Sequence, residues 1–184
     1  PVFRGECQKR ILAMNVKVYN DSGKAIQSTR GELVCVSPHP SMPIGFWNDK
    51  DNARYKSAYF EKFENVWHQG DFVEFTVNKG LKFFGRSDAV LNPGGVRIGT
   101  AEIYRIVETM EEVIEGVVIG QNIGDDQRVV LFLRVLDNVL FDETLVKKIK
   151  QQIRSRATPR HVPAIILKVE DIPRTKSGKI AEIA

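Results

Sequence analysis

Cysteine is nearly missing from the chain: Cys7 and Cys35 are the two in 184 residues. Two thiols cannot build a disulfide framework. With three scattered histidines, His39, His68 and His161, no Cys/His pair has metal-ligand spacing. We therefore expect no protein metal site and read both thiols as reduced, in a cytoplasmic setting. Long hydrophobic runs are missing too. The longest, Val129 to Leu133, falls far short of the ~20 apolar residues that span a bilayer, so no membrane partner is expected. Pro1 opens the chain without an initiator Met, an apolar signal core or an Arg-rich transit segment, and we expect a piece of something longer. Aromatics stop at Phe141. The stacking platforms of a single-stranded nucleic-acid binder are thus absent from the basic end of the chain.

What is present describes a globular protein of one domain or two small ones. Apolar residues make up 42% and charged ones 27%, which excludes a low-hydrophobicity disordered chain. The net charge of +4 is uneven: all of the basic excess lies after Thr144, on a mildly acidic remainder. Such a block is more often a solvated face than an anion site, and a basic nucleic-acid-binding module is one alternative it leaves open. No feature specifies an oligomeric state.

The first half reads as strands and loops. Val16–Tyr19 and Glu32–Val36 have strand character, and the three prolines between Ser37 and Pro43 forbid a regular ladder. A helix is predicted over Asp51–Phe63, with Tyr55, Tyr59 and Phe63 on one face. Phe72–Val77 and Leu81–Phe84 form a hairpin about Asn78-Lys79-Gly80. The second half alternates helix and strand. Thr100 is expected to cap a helix to about Met110, and Asp142 a helix to about Arg156 whose stripe is Leu145, Ile149 and Ile153. Strands are expected at Val113–Ile119, Val129–Val135 and Ala164–Val169. The pattern is α+β, with helices on one sheet.

Three clusters carry chemistry. Trp67-His68-Gln69-Gly70-Asp71 sets a carboxylate at a glycine turn; such an Asp is usually a turn or cap residue, yet it can also accept both hydroxyls of a ribose. The stretch Gly85–Thr100 holds four glycines with Arg86 and Arg97, which suits either a plain hairpin or close backbone approach to an anion. Pro173-Arg174-Thr175-Lys176-Ser177-Gly178-Lys179 is rich in anion-favouring groups but lacks the Walker A spacing. Taken alone, it reads as a mobile basic loop.

In this order the three clusters resemble the adenylate-forming acyl-CoA synthetases across nearly the whole chain. Gly31-Glu32-Leu33-Val34-Cys35, Pro40–Asp49 and Pro93-Gly94-Gly95-Val96 are similar to the acetoacetyl-CoA branch. The resemblance implies activation of acetoacetate by ATP to an acyl-adenylate, followed by thioester formation with CoA. Mg2+ would travel with the ATP, and the partners would be these small molecules rather than nucleic acid. Another short-chain acid, acetate or propionate, is the enzymatic alternative. Residue by residue, it implies that Lys179 is the catalytic lysine at the α-phosphate. Asp71, Arg86 and Arg97 would bind the nucleotide, and Asp88 would be the hinge. Gly94 would lie beside the pantetheine tunnel, with Arg154 a weaker candidate for CoA's phosphates. Residues 1–86 would then be the β-rich tail of a large N-terminal adenylation domain, and 87–184 a small C-terminal α+β lid, with the hinge near 86–88. The phosphate-wrapping loop, the adenine-binding segment and the acyl pocket of that family have no counterpart in these residues, so the isolated stretch is expected to be inactive.

Overall fold

The structure, a computed structural model, describes residues 1–182. The chain divides into two compact units, Pro1–Ser87 and Asp88–Ala184.

The first unit is a five-stranded antiparallel sheet in the order β2-β1-β3-β4-β5. Its strands are β1 (Val16–Tyr19), β2 (Ala25–Ile26), β3 (Gly31–Cys35), β4 (Trp67–Phe75) and β5 (Leu81–Arg86). β1 alternates inward Val16 and Val18 with outward Lys17, the period of a sheet with one buried face. Against β4 packs the helix α1 (Ala53–Phe60). It is shorter than predicted at both ends. Asp51 and Asn52 take positive φ, and the Asp49 carboxylate accepts the N–H groups of Arg54 and Tyr55 at 3.0 and 2.8 Å, which starts the helix late. Phe63 therefore lies beyond α1 and meets Tyr19 edge-on at 5.5 Å. Tyr59 stacks on Trp67, with ring centroids 3.8 Å apart.

β4 begins five residues earlier than expected, so Trp67–Asp71 is strand and not a free-standing turn. The predicted turn chemistry appears instead as a bulge. Between the pairs Val34↔His68 and Glu32↔Phe72, β4 carries extra residues, and Gly70 takes φ +80 there. A longer side chain would strain at that φ.

The second unit places two helices, α2 (Thr100–Val107) and α3 (Glu143–Arg156), with the sheet β6-β7-β8. β6 (Val113–Ile123) and β7 (Asp126–Val135) form a long hairpin around Gly124-Asp125. It outruns the predicted strands because its last pairs, Gln121↔Arg128 and Asn122↔Gln127, are polar and break no hydrophobic pattern. β8 (Ile165–Lys168) runs parallel to β7, the connection being α3. α3 matches its predicted bounds closely: Asp142 Oδ1 accepts the Leu145 N–H at 2.9 Å, and Leu145, Ile149 and Ile153 are buried. Each buried aliphatic side chain stabilises the unit by about 1.5–3 kcal/mol. α2 starts at Thr100, but Gly99 is its N-cap: Glu102 Oε1 reaches back to the Gly99 N–H at 3.1 Å. No helix among the described residues is long and apolar enough to cross a membrane.

Candidate functional site

Asp71 and Arg86 face each other across β4 and β5 as direct register partners. Their charged groups stand 3.8 Å apart. Gln69 ties the pair together: its Nε2 donates to Asp71 Oδ2 at 2.7 Å, and its carbonyl accepts Arg86 Nη1 at 2.5 Å. The bulge is what permits this. A Cβ on Gly70 would stand 2.9 Å from Arg86 Nη2, so a side chain there would push the guanidinium from its place over the strand. Asp71 is partly covered, while Arg86 is exposed.

Beneath this pair lies a cluster that the sequence did not reveal. Glu32, in β3, is only 2% exposed. Its carboxylate accepts Lys62 Nζ at 2.5 Å, lies 2.9 Å from His68 Nε2 and accepts the hydroxyl of Ser87. Burial works to raise the Glu32 pKa, but the hydrogen bonds from His68, Lys62 and Ser87 outweigh it and hold the carboxyl at about 2. The sequence signal was a carboxylate inside an otherwise apolar run. Its partners come from three distant segments, and no local pattern links them. The cluster secures His68, three residues before Asp71, and Ser87, next to Arg86.

In the second unit, Leu91 and Ile98 exchange backbone hydrogen bonds of 2.9 and 2.8 Å, closing a small hairpin. Its tip is Asn92-Pro93-Gly94-Gly95, with φ +58 at Gly94 and +75 at Gly95. The stretch is thus the hairpin of the plainer sequence reading, and its tip exposes glycine backbone. Asp126 Oδ1 accepts the Gly94 N–H at 2.8 Å, and Gln127 Oε1 accepts the Asn92 N–H at 2.7 Å. The N–H groups of Gln127 and then Gly94 hold the Asp126 carboxyl below its ordinary range. Arg97 is exposed on the same hairpin, and Asp88 lies in the turn Ser87–Ala89.

Lys179 is exposed, and its ammonium has no hydrogen-bond or ion-pair partner among the described residues. The loop that bears it is crossed by backbone hydrogen bonds. Thr175 N–H donates to Lys179 O at 2.8 Å, Gly178 N–H to Thr175 O at 2.9 Å, and Ala181 N–H to Pro173 O at 2.9 Å. Arg174 is not available to an outside anion: it binds Glu115 and donates to Gly178 O at 3.0 Å. Elsewhere in the basic block, Lys148 pairs with Glu112, Lys147 lies 3.7 Å from Glu143, and Arg156 donates to Thr109. Arg154 is exposed on α3. No group of His, Cys, Asp and Glu suited to a metal ion occurs among the described residues.

Asp71 and Arg86 are therefore brought together in the first unit. Arg97, Gly94, Arg154 and Lys179 belong to the second. No family model matches the chain. It is 58% identical over 184 residues to the acetoacetyl-coenzyme A synthetase of Rhizobium meliloti (strain 1021), covering all of this chain and 28% of that protein. The acetoacetyl-CoA synthetase of Xenopus tropicalis is 46% identical over 186 residues, again across 100% of this chain and 28% of the relative. Among solved structures, the acetoacetyl-CoA synthetase from Streptomyces lividans superposes with a TM-score of 0.93 at 38% identity, over 100% of this chain and 27% of that one. The chain is thus homologous over its whole length to acetoacetyl-CoA synthetases, as a stretch spanning 28% of the length of the curated relatives it matches.

Proposed function

We propose that the chain supplies part of an ATP-dependent acetoacetate–CoA ligase. It would contribute the rim of the nucleotide site and the unit that carries the catalytic lysine. In the first step a carboxylate oxygen of acetoacetate attacks the α-phosphorus of ATP, pyrophosphate leaves, and an acyl-adenylate forms. Negative charge builds on the phosphoryl oxygens, so catalysis is mainly positioning and electrostatics. The observation that carries this reading is Lys179. It is a point charge without a partner among the described residues, on a backbone-braced loop that presents it to solvent. A compact ammonium suits a group that must meet the α-phosphate and leave it again.

Asp71 is the proposed ribose acceptor, with Arg86 beside it and Gln69 holding both in place. Arg97 is a further nucleotide contact. Asp88 is the proposed hinge between residues 1–86, the tail of the large domain, and the lid formed by 87–184. The division of the chain between Ser87 and Asp88 supports that boundary. In the second step the thiol of CoA attacks the acyl carbon and AMP leaves; the Gly94 loop and Arg154 are the proposed CoA contacts. ATP brings its own Mg2+ as substrate. The two unbridged cysteines support a cytoplasmic setting, with the acyl thioester entering lipid metabolism.

The test uses the full-length protein. Lys179→Ala is expected to lower acetoacetate-dependent ATP–pyrophosphate exchange by about a thousandfold. Thioester formation from preformed acetoacetyl-adenylate should be largely retained. Equal loss of both half-reactions removes the assigned role, and faster exchange with acetate or propionate than with acetoacetate removes the substrate.

A further inference from the structure

The tip Asn92–Gly95 is solvent-exposed, and water would satisfy its backbone groups without help from the protein. Yet three side chains from two other places in the unit take them over. Gln127 Oε1 accepts the Asn92 N–H at 2.7 Å, Asp126 Oδ1 accepts the Gly94 N–H at 2.8 Å, and Arg160 Nη1 donates to the Gly94 carbonyl at 3.3 Å. Two of these side chains are themselves braced. Asp126 also accepts the Gln127 N–H at 2.7 Å, and Gln127 Nε2 donates to Asn122 Oδ1 at 3.3 Å. Gln127 occupies space that only a glycine leaves open: a Cβ on Gly120 would stand 2.1 Å from its amide carbon. Arg160 extends from the turn Pro159–His161, where buried His161 Nδ1 and Thr158 Oγ1 share a hydrogen bond of 2.8 Å.

The two glycines of the tip do different things. A Cβ on Gly94 would stand 3.0 Å from Arg160 Nη1, so the absence of that side chain serves the clamp. Among the described residues, and apart from its own chain neighbours, nothing lies within 4 Å of a Cβ built on Gly95, whose φ is +75. The clamp therefore fixes one side of the tip and leaves the other open.

We infer that Asp126, Gln127 and Arg160 are positioning residues for thioester formation. They hold the Asn92–Gly95 tip so that the open side at Gly95 gives the narrow pantetheine arm of CoA a fixed backbone edge to pass. This inference rests on the ligase reading above and adds to it three residues outside the glycine-rich stretch. A fixed edge matters because misplacing a reacting thiol by about 1 Å can cost on the order of a hundredfold in rate.

The experiment compares wild-type full-length protein with Asp126→Ala, Asp126→Asn and Gly120→Ala. Acetoacetate-dependent ATP–pyrophosphate exchange is measured without CoA, and thioester formation as a function of CoA concentration. Asp126→Ala is expected to raise KM for CoA or lower the thioester rate by about tenfold, with exchange within about twofold of wild type. Asp126→Asn keeps an acceptor oxygen and should recover most of the loss. Gly120→Ala removes no hydrogen-bonding group but displaces Gln127 from its seat, and should give a similar CoA-specific defect. It keeps the test decisive if Asp126→Ala folds poorly. Faster hydrogen exchange of the peptide 91–98 in Asp126→Ala and Gly120→Ala is expected in parallel. Unchanged CoA kinetics in both, or equal loss of the two half-reactions, overturns the inference while leaving the ligase reading in place. Wild-type protein with no acetoacetate-dependent exchange would overturn the ligase reading, and this inference with it.

Discussion

The two units are held together by different physics. The first has short strands, an aromatic cluster around Trp67 and a fully covered carboxylate, Glu32, tied to Lys62, His68 and Ser87. The second has an aliphatic core in which Ile103, Val107, Leu131, Leu133, Ile149 and Ile153 are fully buried. A charge network fixes directions, because hydrogen bonds are angular; an aliphatic core fixes volume and tolerates small shifts. The difference fits the tasks proposed for the two units. A carboxylate and a guanidinium that grip a ribose need fixed directions, whereas a unit that delivers one lysine needs to stay whole.

Three substitutions would break or sharpen this contrast, and when these 184 residues are studied alone their two tryptophans make it measurable. Trp47 and Trp67 both lie in the first unit, while α2 and α3 lie in the second. Tryptophan fluorescence therefore follows the first unit, and ellipticity at ~222 nm mainly the second. The largest effect is expected from Ile149→Ala, which empties a site of 0% exposure and should cost about 4 kcal/mol. The ellipticity transition should move to lower denaturant and the fluorescence transition should stay. Joint movement would show one cooperative block and end the contrast.

Glu32→Ala should cost somewhat less, about 3 kcal/mol, and move the fluorescence transition. Its pH signature is more specific. The Glu32 carboxyl titrates at about 2 in the fold against an ordinary 4.5, so its folded pKa is depressed. The stability it contributes is complete above pH 4.5 and is lost as the pH falls towards 2, about 3 kcal/mol in all. Denaturant midpoints by fluorescence should drop across that window in wild type and lose most of that slope in Glu32→Ala. A slope that persists would assign the acid sensitivity to other carboxylates. The smallest effect is expected from Asp142→Ala, which removes the cap on α3 and should cost about 1 kcal/mol by ellipticity. A cost above 3 kcal/mol would mean that Asp142 has another partner.

The same contrast governs what could be read from sequence. The second unit was legible because its determinants are local. Asp142 precedes a stripe spaced by four, and Gly124 sits between two apolar runs. The first unit was less legible because its determinants are long-range. Glu32 and Ser87 are separated by 55 positions, and Gly70 reads as a turn until β3 is laid beside it and the bulge appears. Phe63 has the right spacing for the α1 face, but the Asp49 cap and the end of the helix at Phe60 place it elsewhere. At the candidate site, motif resemblance pointed to Asp71, Arg86 and Lys179. It could not show that Arg174 is occupied by Glu115, since that pair joins the Lys179 loop to β6 across 59 positions. Nor could it show the hold of Asp126, Gln127 and Arg160 on the glycine tip, which depends on a hairpin and a turn folding against it.

The parallel pairing of β8 with β7 has a consequence for the order in which the chain matures. Most pairings in the first unit join strands that are consecutive in the chain, so they can assemble as the residues emerge from the ribosome. The second unit must wait. Ile166 and Ile172 complete its core, and β8 reaches its place only after α3 has crossed the sheet. Closing that crossover is the slow kind of step, because chain entropy is lost before the contacts that repay it exist. Until then, β7 presents an unpaired apolar edge from Val130 to Leu133. That edge stays unpaired until Ile165 and the residues after it have been made.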